Sequence, residues 1–269
     1  MAGKLRHVLG LSGGKDSAAL AVYMRERVPE MEYVFCDTQK ELAETYEYLD
    51  RLQAVLGKPI TKLNPERGFD HWLEIYRGYL PSSRMRWCTR MLKIRPFEEY
   101  VGDDPVMSYI GIRADEDRDG YISSKPNITP VYPFKEDGVR EADVFRILQD
   151  AGIGLPSYYE WRTRSGCYFC FFQRKAEWVG LKERHPDLFE EAKAYEKIDS
   201  VTGVRYTWNQ SESLDELASP ERIAAIKAKH DKATAAVKST LAPGQKLIQI
   251  FSAALDEDDD TEPCLICNL

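Results

Sequence analysis

No apolar run in this chain approaches the roughly 18–20 residues that a membrane-spanning helix needs. The opening stretch Met1-Ala2-Gly3-Lys4-Leu5-Arg6 also lacks the apolar centre of a secretory signal. The expected setting is therefore the cytoplasm, with no membrane partner. Histidine is scarce: there are four in 269 residues, none at a catalytic spacing, and His71 and His185 read as helix-surface residues. There is no internal repeat, which excludes a solenoid or propeller. A net charge of −7 argues against a protein that coats nucleic acid. What is present is a folding composition, 43% hydrophobic and 11% aromatic, enough for a sizeable core. The six cysteines, in a reducing compartment, read as metal ligands or redox groups rather than as structural disulfides.

The charge is unevenly spread. Ser82 to Phe97 holds five basic residues (Arg84, Arg86, Arg90, Lys93, Arg95) and no acid, and Arg162 to Lys175 holds four more (Arg162, Arg164, Arg174, Lys175), again with no acid. Acids collect instead at Asp115-Glu116-Asp117 and Asp256–Asp260. Basic segments in an acidic chain are expected to build a local anion site.

Short apolar runs at His7–Leu11, Tyr33–Cys36, Ile60–Leu63 and Met107–Ile112 predict four strands. Helical patterns are expected over Ala18–Arg27, Glu41–Leu56, Glu141–Ala151, Lys175–Arg184, Leu188–Lys197 and Pro220–Ser239. Strands and helices in alternation predict an α/β protein with a mostly parallel sheet covered on both faces, and a ligand at the carboxyl ends of the strands. The expected division is a nucleotide-binding domain over 1–200, including the Cys-x-x-Cys segment, followed by a helical arm and an acidic, cysteine-containing tail over 201–269.

The first strand runs into Ser12-Gly13-Gly14-Lys15-Asp16-Ser17. Two glycines allow a tight bend that leaves amides uncovered, and the following helix N-terminus adds a positive end for phosphate oxygens. Ser12 and Ser17 would add hydroxyl donors and Lys15 charge, while Asp16 would cap the helix or help hold Mg2+. The spacing is not that of a Walker A loop.

This loop resembles the signature of PP-loop ATP pyrophosphatases, a superfamily that includes the PAPS (phosphoadenosine phosphosulfate) and APS reductases. Asp37-Thr38 with Glu44-Thr45-Tyr46, Gly111-Ile112-Arg113-Ala114-Asp115-Glu116 and Gly166-Cys167-Tyr168-Phe169-Cys170 resemble further segments of the PAPS reductase-like branch, in the same order. The resemblance implies a Rossmann-like, adenine nucleotide alpha hydrolase-like fold with a helical C-terminal extension. It implies that Ser12–Ser17 hold phosphate or pyrophosphate, that Asp37 and Thr38 lie beside the nucleotide, and that Gly111 and Arg113 face it or the group it transfers. Gln39 stands where such sequences carry glycine after Asp-Thr.

For the cysteines two metal arrangements are open. Cys88, Cys167 and Cys170 would hold a 4Fe–4S cluster with one iron open, similar to those of PP-loop enzymes that thiolate tRNA; or the Cys167/Cys170 and Cys264/Cys267 pairs would make a zinc site. Cys36, inside an apolar strand, reads as core. Glu262-Pro263-Cys264 loosely resembles the reductases' nucleophile-bearing tail, which makes Cys264 a candidate catalytic thiol beside Lys15, Asp16 and Arg113. Three functions follow: cleavage of ATP to AMP and pyrophosphate to activate an acceptor for sulfur transfer, reduction of PAPS or APS with a thioredoxin-like partner, or a non-catalytic accessory role in a mobile-element or antiviral operon. The basic-aromatic segments would admit a nucleic-acid acceptor in the first.

Overall fold

The computed structural model describes residues 4–63, 67–117, 123, 125–198, 204–209 and 211–240. In chain order the elements are β1 (Arg6–Leu11), α1 (Lys15–Met24), β2 (Glu32–Cys36), α2 (Ala43–Leu56), β3 (Ile60–Leu63) and α3 (Phe69–Ile75). Then come α4 (Trp87–Thr89), a π-helical turn (Arg90–Ile94), α5 (Arg95–Val101), β4 (Val106–Tyr109), β5 (Ile128–Val131), α6 (Pro133–Glu136) and α7 (Glu141–Asp150). A 3-10 turn (Ser157–Glu160), α8 (Lys175–Arg184), α9 (Pro186–Tyr195), the strand pair β6 (Lys197–Ile198) and β7 (Arg205–Tyr206), α10 (Leu214–Leu217) and α11 (Pro220–Thr240) complete it.

The five strands pair in parallel in the order β3-β2-β1-β4-β5. Side chains alternate across a strand, so β1 and β2 feed two cores. Leu9, Leu11, Tyr33 and Phe35 pack with Ala18 and Ala21 of α1, Tyr48 and Leu52 of α2, and Val144 and Leu148 of α7. Val8, Val34, Cys36 and Val106 pack with Phe97 and Val101 of α5 on the other face. Cys36 is thus core, with its thiol pushed up to about 12, chiefly by burial. The α/β architecture with helices on both faces is as expected. Because the crossover after β1 leads to β2 and β3 on one side while β4 and β5 lie on the other, the loops after β1 and β4 diverge, which is where such sheets leave their crevice.

Two expectations need correction. The chain has a fifth strand, Ile128–Val131, masked in the sequence by Pro130; lacking an N–H, that proline suits only an edge strand, and β5 is one. Helix α1 starts at Lys15 rather than Ala18, because Gly14 itself is the extended residue that caps it.

A third, aromatic core lies beside the sheet. Phe69, Trp87, Trp161, Phe169 and Trp178 are buried there with Trp208, Leu214, Leu217 and Ile226, so the segment beyond residue 200 packs, as far as Ile226, on the same body as the cysteine segment. Glu212 helps tie it down: Lys175 Nζ lies 2.7 Å from its Oε1, and Arg222 Nε and Nη2 donate to it at 2.7 and 2.8 Å. The Arg222 hydrogen bonds are the main reason its pKa falls to about 2. A depressed carboxylate contributes stability above its unfolded pKa and loses it as pH drops through the folded value. Glu212→Gln is therefore expected to cost about 1 kcal/mol at pH 7, after screening of its half-exposed arginine partner. The cost should vanish near pH 2, as measured by urea midpoints at the two pH values.

Candidate functional site

The Ser12–Ser17 loop sits at the carboxyl end of β1, at the divergence beside β4. Gly13 has φ of +75°, the left-handed region that glycine enters without strain. The loop is more enclosed than its glycines imply. Ser12 Oγ lies 3.1 Å from Ser17 Oγ, Ser17 Oγ accepts from Ser12 N–H at 3.1 Å, and Ser165 Oγ donates to Ser12 Oγ at 3.1 Å. Tyr158 O–H donates to the Gly13 carbonyl at 2.7 Å, and Tyr159 Oη accepts from Lys15 N–H at 3.2 Å. A Cβ on Gly13 would lie 2.5 Å from Thr45 Cγ2, and one on Gly14 2.8 Å from Ser165 Oγ. The wall facing the loop is thus built of the hydroxyls of Tyr158, Tyr159 and Ser165, which join the expected Ser12 and Ser17, with the Thr45 methyl against Gly13. The Thr45 Oγ1 itself is buried with no hydrogen-bond partner.

Lys15 is buried, with Nζ 3.3 Å from Asp16 Oδ2 and 3.4 Å from Glu141 Oε1, and over the Tyr159 ring at 5.7 Å. Burial works against its charge, but Asp16, Tyr159 and Glu141 outweigh it and raise its pKa. Arg113, delivered by the loop after β4, reaches across: Nη1 donates to Asp16 Oδ1 at 2.8 Å and lies 2.7 Å from Glu116 Oε1, while Nε donates to Asp115 Oδ1 at 3.0 Å. Against burial, Lys15 and Arg113 hold the Asp16 carboxyl below its usual range, so it is ionised at neutral pH. Gly111 makes this approach feasible, since a Cβ there would stand 3.0 Å from the Asp16 carbonyl oxygen. Lys15, Asp16 and Arg113, drawn from two distant segments of the chain, therefore form one charged cluster, with Gly111 allowing their approach.

At the carboxyl end of β2, Asp37 Oδ1 accepts from Gln39 N–H at 2.8 Å and from Tyr46 O–H at 2.7 Å. Gln39 has φ of +61°, so it occupies the left-handed region that glycine enters freely. A non-glycine residue there is strained by about 1–2 kcal/mol. Gln39→Gly is expected to raise stability by about 0.5–1 kcal/mol, the rest being lost to unfolded-chain entropy. An unmoved urea midpoint would contradict this.

Thr38 points to the cysteines. Its Oγ1 donates to Glu41 Oε1 at 2.9 Å and lies 3.1 Å from Cys167 Sγ. Cys167 and Cys170, at the ends of a tight turn closed by Cys170 N–H to Cys167 O at 3.0 Å, stand close to Lys93 of the π-helical turn. The charge of Cys170 also acts on Cys88, so the three expected ligands share one neighbourhood. Burial pushes the Cys88 thiol up to about 11 and raises the Cys167 thiol well above its ordinary value. Among the described residues no three His, Cys, Asp or Glu side chains form a group able to hold a single metal ion. Cys264 and Cys267, with the acidic tail, lie outside the described residues, so the zinc arrangement and the candidate thiol have no placement.

Two residues that organise this segment escape sequence reasoning. Arg162, buried, donates to the Gly166 and Cys167 carbonyls at 3.0 and 2.8 Å and clamps the cysteine turn. Glu177, wholly buried, accepts from Thr163 N–H and O–H at 2.7 and 2.8 Å and from Arg174 N–H at 3.0 Å. The Arg162 contacts follow no local spacing rule, whereas the Glu177 bond to Arg174 N–H is the N3-to-N-cap half of a capping box and only its bonds to Thr163 lie outside such a rule.

Part of the chain resembles known proteins. Residues 6–129 match the phosphoadenosine phosphosulfate reductase domain. Two uncharacterized proteins of Methanocaldococcus jannaschii are each 26% identical, over 202 and 190 residues, covering 68% and 66% of this chain. The chain spans only 40% and 44% of those two relatives. An uncharacterized 37.8 kDa protein of Escherichia phage 186 is 25% identical over 258 residues, covering 71% of this chain and 75% of its own. A crystal structure of PAPS reductase from Candida auris, in a phosphate complex, superposes with a TM-score of 0.47 at 14% identity, over 60% of this chain and 81% of that one. No described helix is long and apolar enough to cross a membrane.

Proposed function

Since the chain carries a phosphoadenosine phosphosulfate reductase-like domain over residues 6–129, we propose that it binds an adenine nucleotide with its phosphates at Ser12–Ser17 and cleaves ATP to activate an acceptor for sulfur transfer. The supporting observation is the buried Lys15 amino group gathered with Arg113 around Asp16, beside a hydroxyl-lined loop at the divergence of β1 and β4. Lys15 and Arg113 are preorganised cations for the charge that develops on a departing pyrophosphate, while the carboxylates around them (Asp16, Asp115, Glu116 and Glu141) would need a bound divalent cation to offset them.

In this reading an acceptor oxygen attacks the α-phosphorus, the bond to the β-phosphate breaks, and pyrophosphate leaves with the electron pair. The acceptor is then an adenylate, and a sulfur nucleophile displaces AMP from it. Lys15 and Arg113 stabilise the pyrophosphate oxygens, and the hydroxyls of Ser12, Ser17 and Ser165 exchange their bonds with one another for bonds to phosphate. Entry therefore requires the Ser165 segment to draw back from Ser12. Asp37 flanks the nucleoside side at the end of β2, and Thr38, its hydroxyl on Glu41 and beside Cys167, links that side to the cysteine turn.

Mg2+ fits this donor set, because it is ordinarily held by one or two carboxylates with phosphate oxygens and waters; Asp16 would hold it, and it would supply charge neutralisation. A 4Fe–4S cluster also fits, since three partly exposed thiols stand among Lys93, Arg86 and Arg164, cations that suit a thiolate cluster's negative charge; Cys88, Cys167 and Cys170 would hold it, and it would supply sulfur or electron chemistry.

The test is magnesium-dependent release of pyrophosphate from ATP, expected in the wild type and lost in Asp16→Ala. Tight PAPS binding without pyrophosphate release, with a thiosulfonate forming on Cys264, would replace this reading with sulfonucleotide reduction.

A further inference from the structure

One stretch of chain, Tyr158 to Cys170, touches both halves of the site. Its first part holds the phosphate loop by hydroxyls. Tyr158 O–H donates to the Gly13 carbonyl at 2.7 Å, and Tyr159 Oη accepts from the N–H of Lys15, the first residue of α1, at 3.2 Å. Further along, Ser165 Oγ donates to Ser12 Oγ at 3.1 Å, and Cys167 follows two residues later. The stretch is thus seated on the loop through three side chains and carries the cysteine turn on the same backbone.

Its remaining contacts pass a shift at Ser165 on to that turn. Arg162 holds the Gly166 and Cys167 carbonyls at 3.0 and 2.8 Å, so the backbone between Ser165 and the turn is braced rather than slack. Thr163 and Arg174, at the two ends of the loop that bears the cysteines, both donate backbone N–H groups to the buried Glu177 carboxylate, at 2.7 and 3.0 Å. The loop is pinned at its neck, and its rim rests on the phosphate loop through the Ser165 bond.

These contacts occupy what a phosphate needs. The N–H groups at the start of a helix are the donors that phosphate oxygens take, and that of Lys15 is spent on Tyr159. Ser165 stands close over Gly14, where a Cβ would lie 2.8 Å from its Oγ. One amide does not serve two close acceptors at full strength. Phosphate and the 158–165 hydroxyls therefore compete for the same face of the loop.

We propose that residues 158–170 form a strap that closes the empty phosphate loop, and that nucleotide phosphates displace it and shift the cysteine turn with it. The two halves of the site then act in order, because the turn is loosened once a nucleotide is seated. The proposal rests on the nucleotide reading for the identity of the displacing ligand; the link from Ser165 to the turn stands on its own contacts.

Two variants of the full chain test it, read by calorimetry with ATP and Mg2+ and by hydrogen exchange, with circular dichroism to confirm the fold. In the wild type, ATP should slow exchange over residues 12–18. It should speed exchange at the bonded amides of the turn, Tyr168 and Cys170, by about two- to tenfold, the range one net hydrogen bond supports. Ser165→Ala should show that faster exchange with no nucleotide present, and ATP should then add little. Tyr159→Phe should bind ATP about two- to tenfold more tightly although it deletes a polar group, because the empty loop is left with an unpaired Lys15 amide. A tyrosine that only fills space would leave the affinity unchanged, and one that binds phosphate would lower it; either result overturns the strap. ATP heat with exchange at the turn unmoved, in wild type and in Ser165→Ala, overturns the strap and leaves the nucleotide reading standing. No ATP heat from wild type or Tyr159→Phe removes the nucleotide reading instead. Ser165→Ala alone then decides the link: faster exchange at the turn supports it, and unchanged exchange overturns it.

Discussion

Exchanging Lys15 for methionine is expected to slow pyrophosphate release from ATP by about 10²–10³-fold, the loss usual when one preorganised donor to a developing oxyanion is removed. The amino group is buried 3.3 Å from Asp16 and 3.4 Å from Glu141, so its charge is fixed before any nucleotide arrives. Fold loss is a weak competing explanation. Asp16 would keep Arg113 at 2.8 Å, and Glu141 is open enough to be hydrated. The stability cost should thus be about 1–2 kcal/mol, below the usual penalty for orphaning a buried charge. Single-turnover release of pyrophosphate, with circular dichroism to confirm the fold, makes the comparison. Wild-type rates in Lys15→Met would show that this cluster takes no part in the chemistry.

Gly13→Ala is expected to remove detectable ATP binding and to destabilise the chain by about 2–5 kcal/mol. Two separate penalties combine. The backbone at φ of +75° strains any residue with a Cβ, by about 1–2 kcal/mol. The new methyl would also lie 2.5 Å from Thr45 Cγ2, closer than real contacts come, so α2 or the loop must shift, and overpacking of this kind costs about 1–3 kcal/mol. The two can be separated. Thr45→Ser deletes the offending methyl and keeps the hydroxyl, so the double variant Gly13→Ala/Thr45→Ser should regain the clash component and retain the backbone component. Urea midpoints for the four proteins of the cycle give both values. No recovery in the double variant would place the whole cost in the backbone.

The parts of the site that sequence reasoning reaches are those written in consecutive residues. Ser12–Ser17 declares its own chemistry, because glycine, hydroxyl and charge occur together at the end of an apolar run. Gly111 and Arg113 are legible as a segment, and the structure adds why glycine precedes the arginine: the β4 loop passes within 3.0 Å of the Asp16 carbonyl in its would-be Cβ position. What stays hidden depends on contacts between distant segments. Tyr158 and Tyr159 brace the loop from about 145 residues away, and no periodicity announces that. The aromatic core draws Trp87, Trp161, Trp178 and Trp208 from scattered loops and short helices, so it has no repeating pattern to detect.

The strands show the same division. Apolar runs buried on both faces are readable at β1, β2 and β4, since neither face of the central sheet needs polar residues. Strand β5 is short, carries Pro130 and follows a polar stretch, so local propensity argues against it; pairing with β4 decides the outcome. Arg162 and Gln39 are the instructive residues. The first lies in a basic stretch that suggests anion binding, yet its guanidinium is spent on the carbonyls of Gly166 and Cys167. The second departs from the expected glycine while the backbone keeps the glycine conformation.

The most direct measurement is calorimetric titration of the full chain with ATP, AMP, APS and PAPS in the presence of Mg2+, run beside Gly13→Ala. Saturable heat with at least one of these nucleotides in the wild type, absent in the variant, is the expected result. No heat with any of the four from folded wild-type protein would contradict the placement of nucleotide phosphates at Ser12–Ser17.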